Sequence, residues 1–382
     1  MDPSAFSARS PGRLVAVAGL RGATHAFVPD LLPPDWRFPS ELWPLLTEAR
    51  VALAELAGVG RYLPNPELLL RPLQNREASK SSSLEGTYTE PEEQMLFELD
   101  PDPGSASPDR ISARREVANY ARALRIRKER HEELPLSLRL IRALHEILMT
   151  GVRGSDRSPG RFRRLQNQVG RPARYVPPPA HLVPDLLGDL ERYLHETDGP
   201  DPLVRAFVAH YQFEAIHPFM DGNGRVGRLL LALCIEEWCH LSAPWLYMSD
   251  YFDRHRDEYL DRLLAVSTDA DWSGWIRFCL EGVVDQARAT SCRCGALIEL
   301  HRQFHERVRE QGASSRLAAI VDGLFLNPAV RVTDARDRLG VTYPTARSDL
   351  RRLERLAILT PLPAQPQITY VSIPVLQAIY GD

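Results

Sequence analysis

The chain has 382 residues, 44% of them hydrophobic and 25% charged, with a formal net charge of −3; this is the composition of a globular protein with room for two or three domains. So even a charge balance excludes a polybasic nucleic-acid coat and an acidic tail. Only two of the 47 basic residues are lysines, Lys80 and Lys128, and Ser79 rather than glycine precedes the first, which excludes a GxxxxGK[ST] phosphate loop and leaves almost no place for a Schiff base.

Fourteen of the 31 prolines precede residue 110 and mark off an N-terminal region. Within it, Glu41–Leu56 carries apolar residues at helical spacing, and Asn65-Pro66 opens a short helix over Glu67–Leu73. Arg76–Glu90 is polar and serine-rich, and Asp100–Asp109 reads as a loop or linker. Helical candidates follow at Arg114–Arg130, Leu138–Met149, His181–His195, Leu203–Ile216, Arg225–Cys239 and Glu258–Val266. Between the second and third of these, Gln168–Val176 is predicted to form a short hairpin with Gly170-Arg171-Pro172 near its turn. The last ~90 residues have the size of a small separate module. There Arg316–Leu326, Val332–Leu339 and Tyr343–Leu356 read as helices, with Thr342 as an N-cap, and Thr360–Pro363 with Gln367–Ser372 as a two-stranded wing.

No apolar run approaches the ~20 residues of a membrane span, and Met1–Arg13 lacks the pattern of a secretory signal. Five cysteines make no disulfide framework, and no four zinc ligands stand at recognisable spacing. The expected setting is a reducing cytoplasm with no membrane partner.

Chemistry concentrates in His217-Pro-Phe-Met-Asp-Gly-Asn-Gly-Arg-Val-Gly-Arg228. Gly222, Gly224 and Gly227 satisfy GxGxxG, but the preceding Leu203–Ile216 is helical where a dinucleotide fingerprint needs a strand. The segment is therefore a helix, a glycine-rich loop and a second helix, anchored by Val226, Leu229, Leu230, Leu233 and Cys234 on one face. The second helix's N-terminus is an anion site, and Arg225 and Arg228, three apart, add forked donors for a polyphosphate. Asp221 places a carboxylate beside those phosphates, a Mg²⁺ ligand, and His217 is a base suited to a hydroxyl proton. His145, His210 and His240 are expected to be structural.

This segment resembles the HPFx(D/E)GNGRxxR signature of Fic-domain proteins, and every specified position matches. Pro33–Thr87, Glu116–Tyr120 and Pro159–Gly170 extend the likeness over about residues 30–290. The resemblance implies a mainly α fold: a Fic-type helical core (111–290) with a short β-hairpin flap, an N-terminal helical region (1–110), and a C-terminal winged helix-turn-helix (291–382). It implies transfer of AMP from ATP, with Mg²⁺, to a Ser, Thr or Tyr hydroxyl of a target protein or of the chain itself. His217 would be the base and Asp221 the metal ligand. Gly222, Asn223, Gly224, Arg225, Gly227 and Arg228 would hold the phosphates, with Tyr251 or Tyr259 against the base. Ser81-Ser-Ser-Leu-Glu85-Gly86 fits the family's inhibitory pattern, which pairs Glu85 with Arg228; in some relatives the same glutamate assists AMP removal. Tyr175 and Val176 of the flap would clamp the target. Arg347, Arg351, Arg352 and Arg355 make DNA a further candidate partner, and dimerisation is the competing use of that module. A DNA-binding regulator or toxin–antitoxin component with a nucleotide-sensing Fic fold is the alternative function.

Overall fold

The computed structural model describes residues 2–17, 25–61, 65–100, 108–129, 134–152, 158–170, 173–196, 199–312, 315–363 and 365–381. The chain opens with an antiparallel ribbon, β1 (Gly12–Ala16) and β2 (His25–Pro29), in the register Gly12↔Pro29 to Ala16↔His25. Sequence patterning leads to helices alone in this region. Next come α1 (Trp43–Arg61), α2 (Glu67–Leu84), α3 (Pro91–Leu99), α4 (Pro108–Glu129), α5 (Leu138–Leu148) and α6 (Val183–His195). Then follow α7 (Pro202–Ile216), α8 (Asn223–Trp238), α9 (Ser249–Arg254), α10 (Arg256–Asp269) and the 39-residue α11 (Trp272–Glu310). The C-terminal part holds α12 (Ser315–Leu326), β3 (Ala329–Arg331), α13 (Val332–Leu339), α14 (Tyr343–Arg355), β4 (Thr360–Leu362), β5 (Thr369–Val371) and α15 (Ile373–Tyr380), its antiparallel strands ordered β3-β5-β4. The fold is mainly helical, and no described helix is long and apolar enough to cross a membrane.

Several elements differ from their predicted extents. Helix α2 runs eleven residues past Leu73, to Leu84. Its serines are poor helix formers, but Ser81 and Ser82 are fully buried, and tertiary packing overrides propensity. The hairpin expected at Gln168–Val176 reduces to one isolated bridge, Val169↔Tyr175, while Arg171 and Pro172 of its turn lie outside the described residues. Where two strands are expected, β4 and β5 pair antiparallel, and β3 adds a third strand. The boundary placed between 110 and 111 falls inside α4, and that between 290 and 291 inside α11.

The site is positioned by α7 and α8, which pack together with the twelve-residue motif at their junction. Helix α7 is buried along almost its whole length, from Leu203 through Ile216, as its nearly all-round apolar sequence requires. Phe207, Phe213, Trp245 and Trp275 fill the core around it.

Candidate active site

Helix α7 ends at His217, whose backbone is left-handed at φ 49°, ψ 61°. A residue with a Cβ adopts that conformation at a cost of about 1–2 kcal/mol, so surrounding bonds must hold it. Arg163 does so. Its Nε donates to the His217 carbonyl at 2.9 Å, its Nη2 to the Pro178 carbonyl at 2.6 Å, and its backbone amide to the Pro218 carbonyl at 2.8 Å. Farther along the loop, the Asn223 side chain accepts the Phe219 amide at 2.8 Å and donates to the Phe219 carbonyl at 2.9 Å. His145 stacks on Phe219 with centroids 3.8 Å apart and planes at 6°. Its Nδ1 accepts the Gly160 amide at 2.9 Å, so the proton sits on Nε2 and is donated to the Asp221 carbonyl at 3.2 Å. At Gly222 the φ of 75° turns the chain into α8.

His217 borders a cavity of about 90 Å³ shared with Tyr175, Tyr211, Glu214, Leu260 and Leu263. Burial, and then the charge of Arg163, lowers its pKa to about 4, so the imidazole is neutral near pH 7. Glu214, whose Oε2 lies 3.9 Å from His217 Nδ1, is pushed up to about 8 by burial and is protonated at neutrality. The Asp221 carboxylate accepts the Gly222 amide through Oδ1 at 2.8 Å and is half-buried. A hard oxygen donor there fits Mg²⁺, which takes one or two carboxylates and completes its shell with water and phosphate.

Arg228 is buried, and three bonds fix it to the end of α2. Its Nε donates to Ser81 Oγ, and its Nη2 to the Ser81 carbonyl and to Glu85 Oε1, each at 2.8 Å. Glu85 caps α2, and its carboxylate lies so close to Gly224 that a Cβ there would stand 2.2 Å from Oε1. An internal anion thus rests against the first turn of α8, where free amides and the helix dipole favour negative charge. Burial raises the Glu85 pKa, but the charge and hydrogen bond of Arg228, with Arg225 behind, hold it below the usual glutamate value. The Glu85 side chain keeps 39% of its surface, so solvent screening tempers the pair.

Arg225 pairs with Glu116 at 2.8 Å, and Glu116 also accepts Thr87 Oγ1 at 3.1 Å. The Arg225 Nε is buried without a hydrogen-bond partner, an orphan donor beside the first turn of α8. Gly227 is required by Glu214, since a Cβ would lie 2.1 Å from its Oε1.

The tyrosines lie differently from the sequence reading. Tyr259 is 3% exposed, stacks on Phe252 at 4.3 Å, and bonds through its hydroxyl to His210 Nε2 at 2.9 Å. His210 Nδ1 bonds the Gly227 carbonyl at 3.1 Å, so this pair braces α8 and leaves Tyr259 no open face for a base. Tyr251 is 7% exposed and packs on Phe278 and against Gly282. In the flap, the Tyr175 hydroxyl donates to the Ala215 carbonyl at 2.9 Å. Val176, expected as a clamp, is fully buried, and its carbonyl accepts the Phe27 amide of β2 at 2.9 Å. The N-terminal ribbon occupies that position. Sequence reasoning missed the roles of Arg163, Glu116 and Glu214; each lies in or beside a quoted segment, but only the folded chain brings it to the loop.

Residues 135–235 match the Fic/DOC family, and residues 43–126 match the Fic/DOC family N-terminal region. A probable protein adenylyltransferase of Aquifex aeolicus is 35% identical over 91 residues, 24% of this chain and 26% of that protein. The protein adenylyltransferase fic-1 of Caenorhabditis elegans is 43% identical over 76 residues, 19% of this chain and 14% of that protein. The chain therefore spans about a quarter or less of the length of these curated relatives. Among solved structures, a Fic family protein from Desulfovibrio desulfuricans G20 superposes with a TM-score of 0.55 at 26% identity, covering 88% of this chain and 98% of that one.

Proposed function

We propose, from the premise that this chain carries the Fic/DOC domain and its N-terminal companion, that it is an autoinhibited protein adenylyltransferase. The observation that carries this reading is the junction of a neutral His217 with a helix N-terminus whose Arg228 already grips an anion, the Glu85 carboxylate.

In the reaction, His217 takes the proton of a target hydroxyl as its oxygen attacks the α-phosphorus of ATP. The bond to the β,γ-diphosphate breaks and pyrophosphate leaves. Positioning and charge stabilisation dominate such transfers. The amides of Asn223 and Gly224, the Arg225 Nε and the Arg228 guanidinium hold the phosphates. Asp221 would hold Mg²⁺, which neutralises charge on the phosphate oxygens when bound. Arg163, His145 and Asn223 keep the loop in shape. The largely apolar cavity beside His217, with Tyr175 and Leu260 in its wall, suits a target side chain next to the modified hydroxyl.

Inhibition follows from competition. The γ-phosphate needs Arg228, and an arginine is not switched off by deprotonation; an opposing carboxylate on α2 is the available control. The protein acts in the cytoplasm on this reading.

A second reading, DNA binding by the C-terminal part, is favoured by one observation. Arg347, Arg351 and Arg355 line one open groove of α14 with Tyr343. Against it, Arg352 donates to the Gln311 carbonyl, and the carboxylate of Glu354 lines the same groove.

The test is the intact mass of the Glu85→Gly protein after incubation with ATP and Mg²⁺. A gain of one AMP that vanishes in Glu85→Gly/His217→Ala supports transfer. No adduct on the protein or on added cell extract would favour the regulator.

A further inference from the structure

Away from the motif, three side chains converge on one point. His301 and His305 stand one turn apart on α11, and Asp322 faces them from α12. Each Nε2 lies 2.8 Å from Asp322 Oδ1, and the two ring nitrogens are 3.1 Å apart. The edge of Phe325, 5.0 Å away between centroids, steadies the His301 ring.

We propose that this triangle is a transition-metal site, best suited to Zn²⁺, that ties the C-terminal part to the long helix. Three lone-pair atoms gathered on one point are what a cation requires. In a tetrahedral zinc site with bonds of about 2.0–2.2 Å, ligand atoms stand roughly 3.3–3.5 Å apart. Opening the triangle by about half an ångström, within side-chain rotation, meets that geometry. Two imidazoles and one carboxylate select zinc and its neighbours, whereas Mg²⁺ and Ca²⁺ prefer oxygen donors throughout. The site is therefore chemically distinct from Asp221. Side-chain exposures of 30%, 30% and 48% leave it open to solvent, so water supplies the remaining coordination and the ion can exchange.

Its location gives the ion a mechanical consequence. Helix α11 continues from the catalytic half, and α12 folds back along it and also packs against α2. An ion bridging α11 and α12 fixes the support on which the inhibitory helix lies.

The test uses the full chain, stripped with chelator and titrated with Co²⁺ in buffer containing Mg²⁺. The expected result is a visible d–d absorption band that saturates at one Co²⁺ per chain and is displaced by one Zn²⁺. That band is lost in His305→Gln and Asp322→Asn, returns in Asp322→Cys, and persists in Asp221→Ala and in Cys292→Ser, which removes the exposed thiol. Zn²⁺ also raises the unfolding midpoint of the parent protein but not of His305→Gln. Uptake of no Co²⁺ by the parent chain overturns the proposal. So does an unchanged band in His305→Gln and Asp322→Asn proteins whose circular dichroism matches the parent.

Discussion

A general base works only while deprotonated, and the surroundings of His217, the proposed base, keep its imidazole neutral across the physiological range. Burial and the neighbouring Arg163 hold its pKa near about 4, so protonation removes the base only as pH falls through that value. AMP transfer by the Glu85→Gly protein is therefore expected to stay level from about pH 8 down to about pH 6, unlike transfer by an unperturbed histidine near 6.5. A pH–rate profile with an inflection near 6.5 would contradict this. Gly227 gives a second residue-scale prediction. Gly227→Ala drives a methyl into Glu214 and to 3.1 Å from Phe213, an overpacking cost of about 1–3 kcal/mol readable by denaturant unfolding. The motif itself was legible because base, carboxylate, glycines and arginines stand in consecutive positions. Its supports were not. Arg163 reaches His217 from 54 residues away, and Glu116 reaches Arg225 from 109; such pairings are made by tertiary packing and leave no local pattern.

At the scale of the element, α2 carries the proposed restraint. Arg76 pairs with Asp250 at 3.1 Å and Lys80 with the same carboxylate at 3.0 Å, both onto α9. Glu77, buried, accepts Tyr120 Oη and the Ser249 amide, and Ser83 donates to Asp253 at 3.1 Å. One of the chain's two lysines thus anchors α2 to α9. Arg76→Met leaves Asp250 with the partly exposed Lys80 and, at 3.9 Å, Arg254. It is expected to lower stability toward the ~3 kcal/mol of a broken buried pair, and to raise basal AMP incorporation without altering a nucleotide-binding residue. Lower stability with unchanged incorporation would separate α2 anchoring from inhibition. The pair itself does not respond to mild acid. Glu85 sits below the usual glutamate value, so its contribution is complete above about 4.5 and is lost only as pH falls through the lowered pKa. Sequence periodicity stopped α2 at Leu73 because a serine run carries no apolar stripe, yet small hydroxyl side chains are what fit beneath Arg228.

Across the whole molecule, the C-terminal part is joined to α2. Helices α12 and α15 both pack on α2, and Arg76 donates to the Tyr380 carbonyl at 3.3 Å. The helical order was readable from periodicity, since long amphipathic and buried segments announce themselves. The β1–β2 ribbon was not, because each strand is five residues long and β2, partly covered by the flap, lacks alternation. Two buried carboxyls set a global pH dependence. Glu214 is raised to about 8 and Glu77 to about 7, each chiefly by burial. Between about 6.5 and 8, above the range where His145, His210 and His217, lowered by burial to about 4, 3 and 4, act in the opposite sense, these two groups bind more protons in the folded chain than in the unfolded one and make stability fall as pH rises through that window. Thermal unfolding at the two ends of the window checks this: Glu214→Gln is expected to lose less stability on alkalinisation than the parent protein, and an equal loss would contradict the assignment.

Whether Glu85 restrains AMP transfer through Arg228 is decided by labelled AMP incorporation in a two-by-two set of proteins. With the parent chain, Glu85→Gly, Arg228→Ala and the double variant, given ATP and Mg²⁺, Glu85→Gly is predicted to incorporate at least ten times the parent's AMP, more than 1.4 kcal/mol of released restraint. In the Arg228→Ala background the same substitution is predicted to add nothing. Equal incorporation by the parent and Glu85→Gly proteins, or a full gain without Arg228, would contradict that restraint.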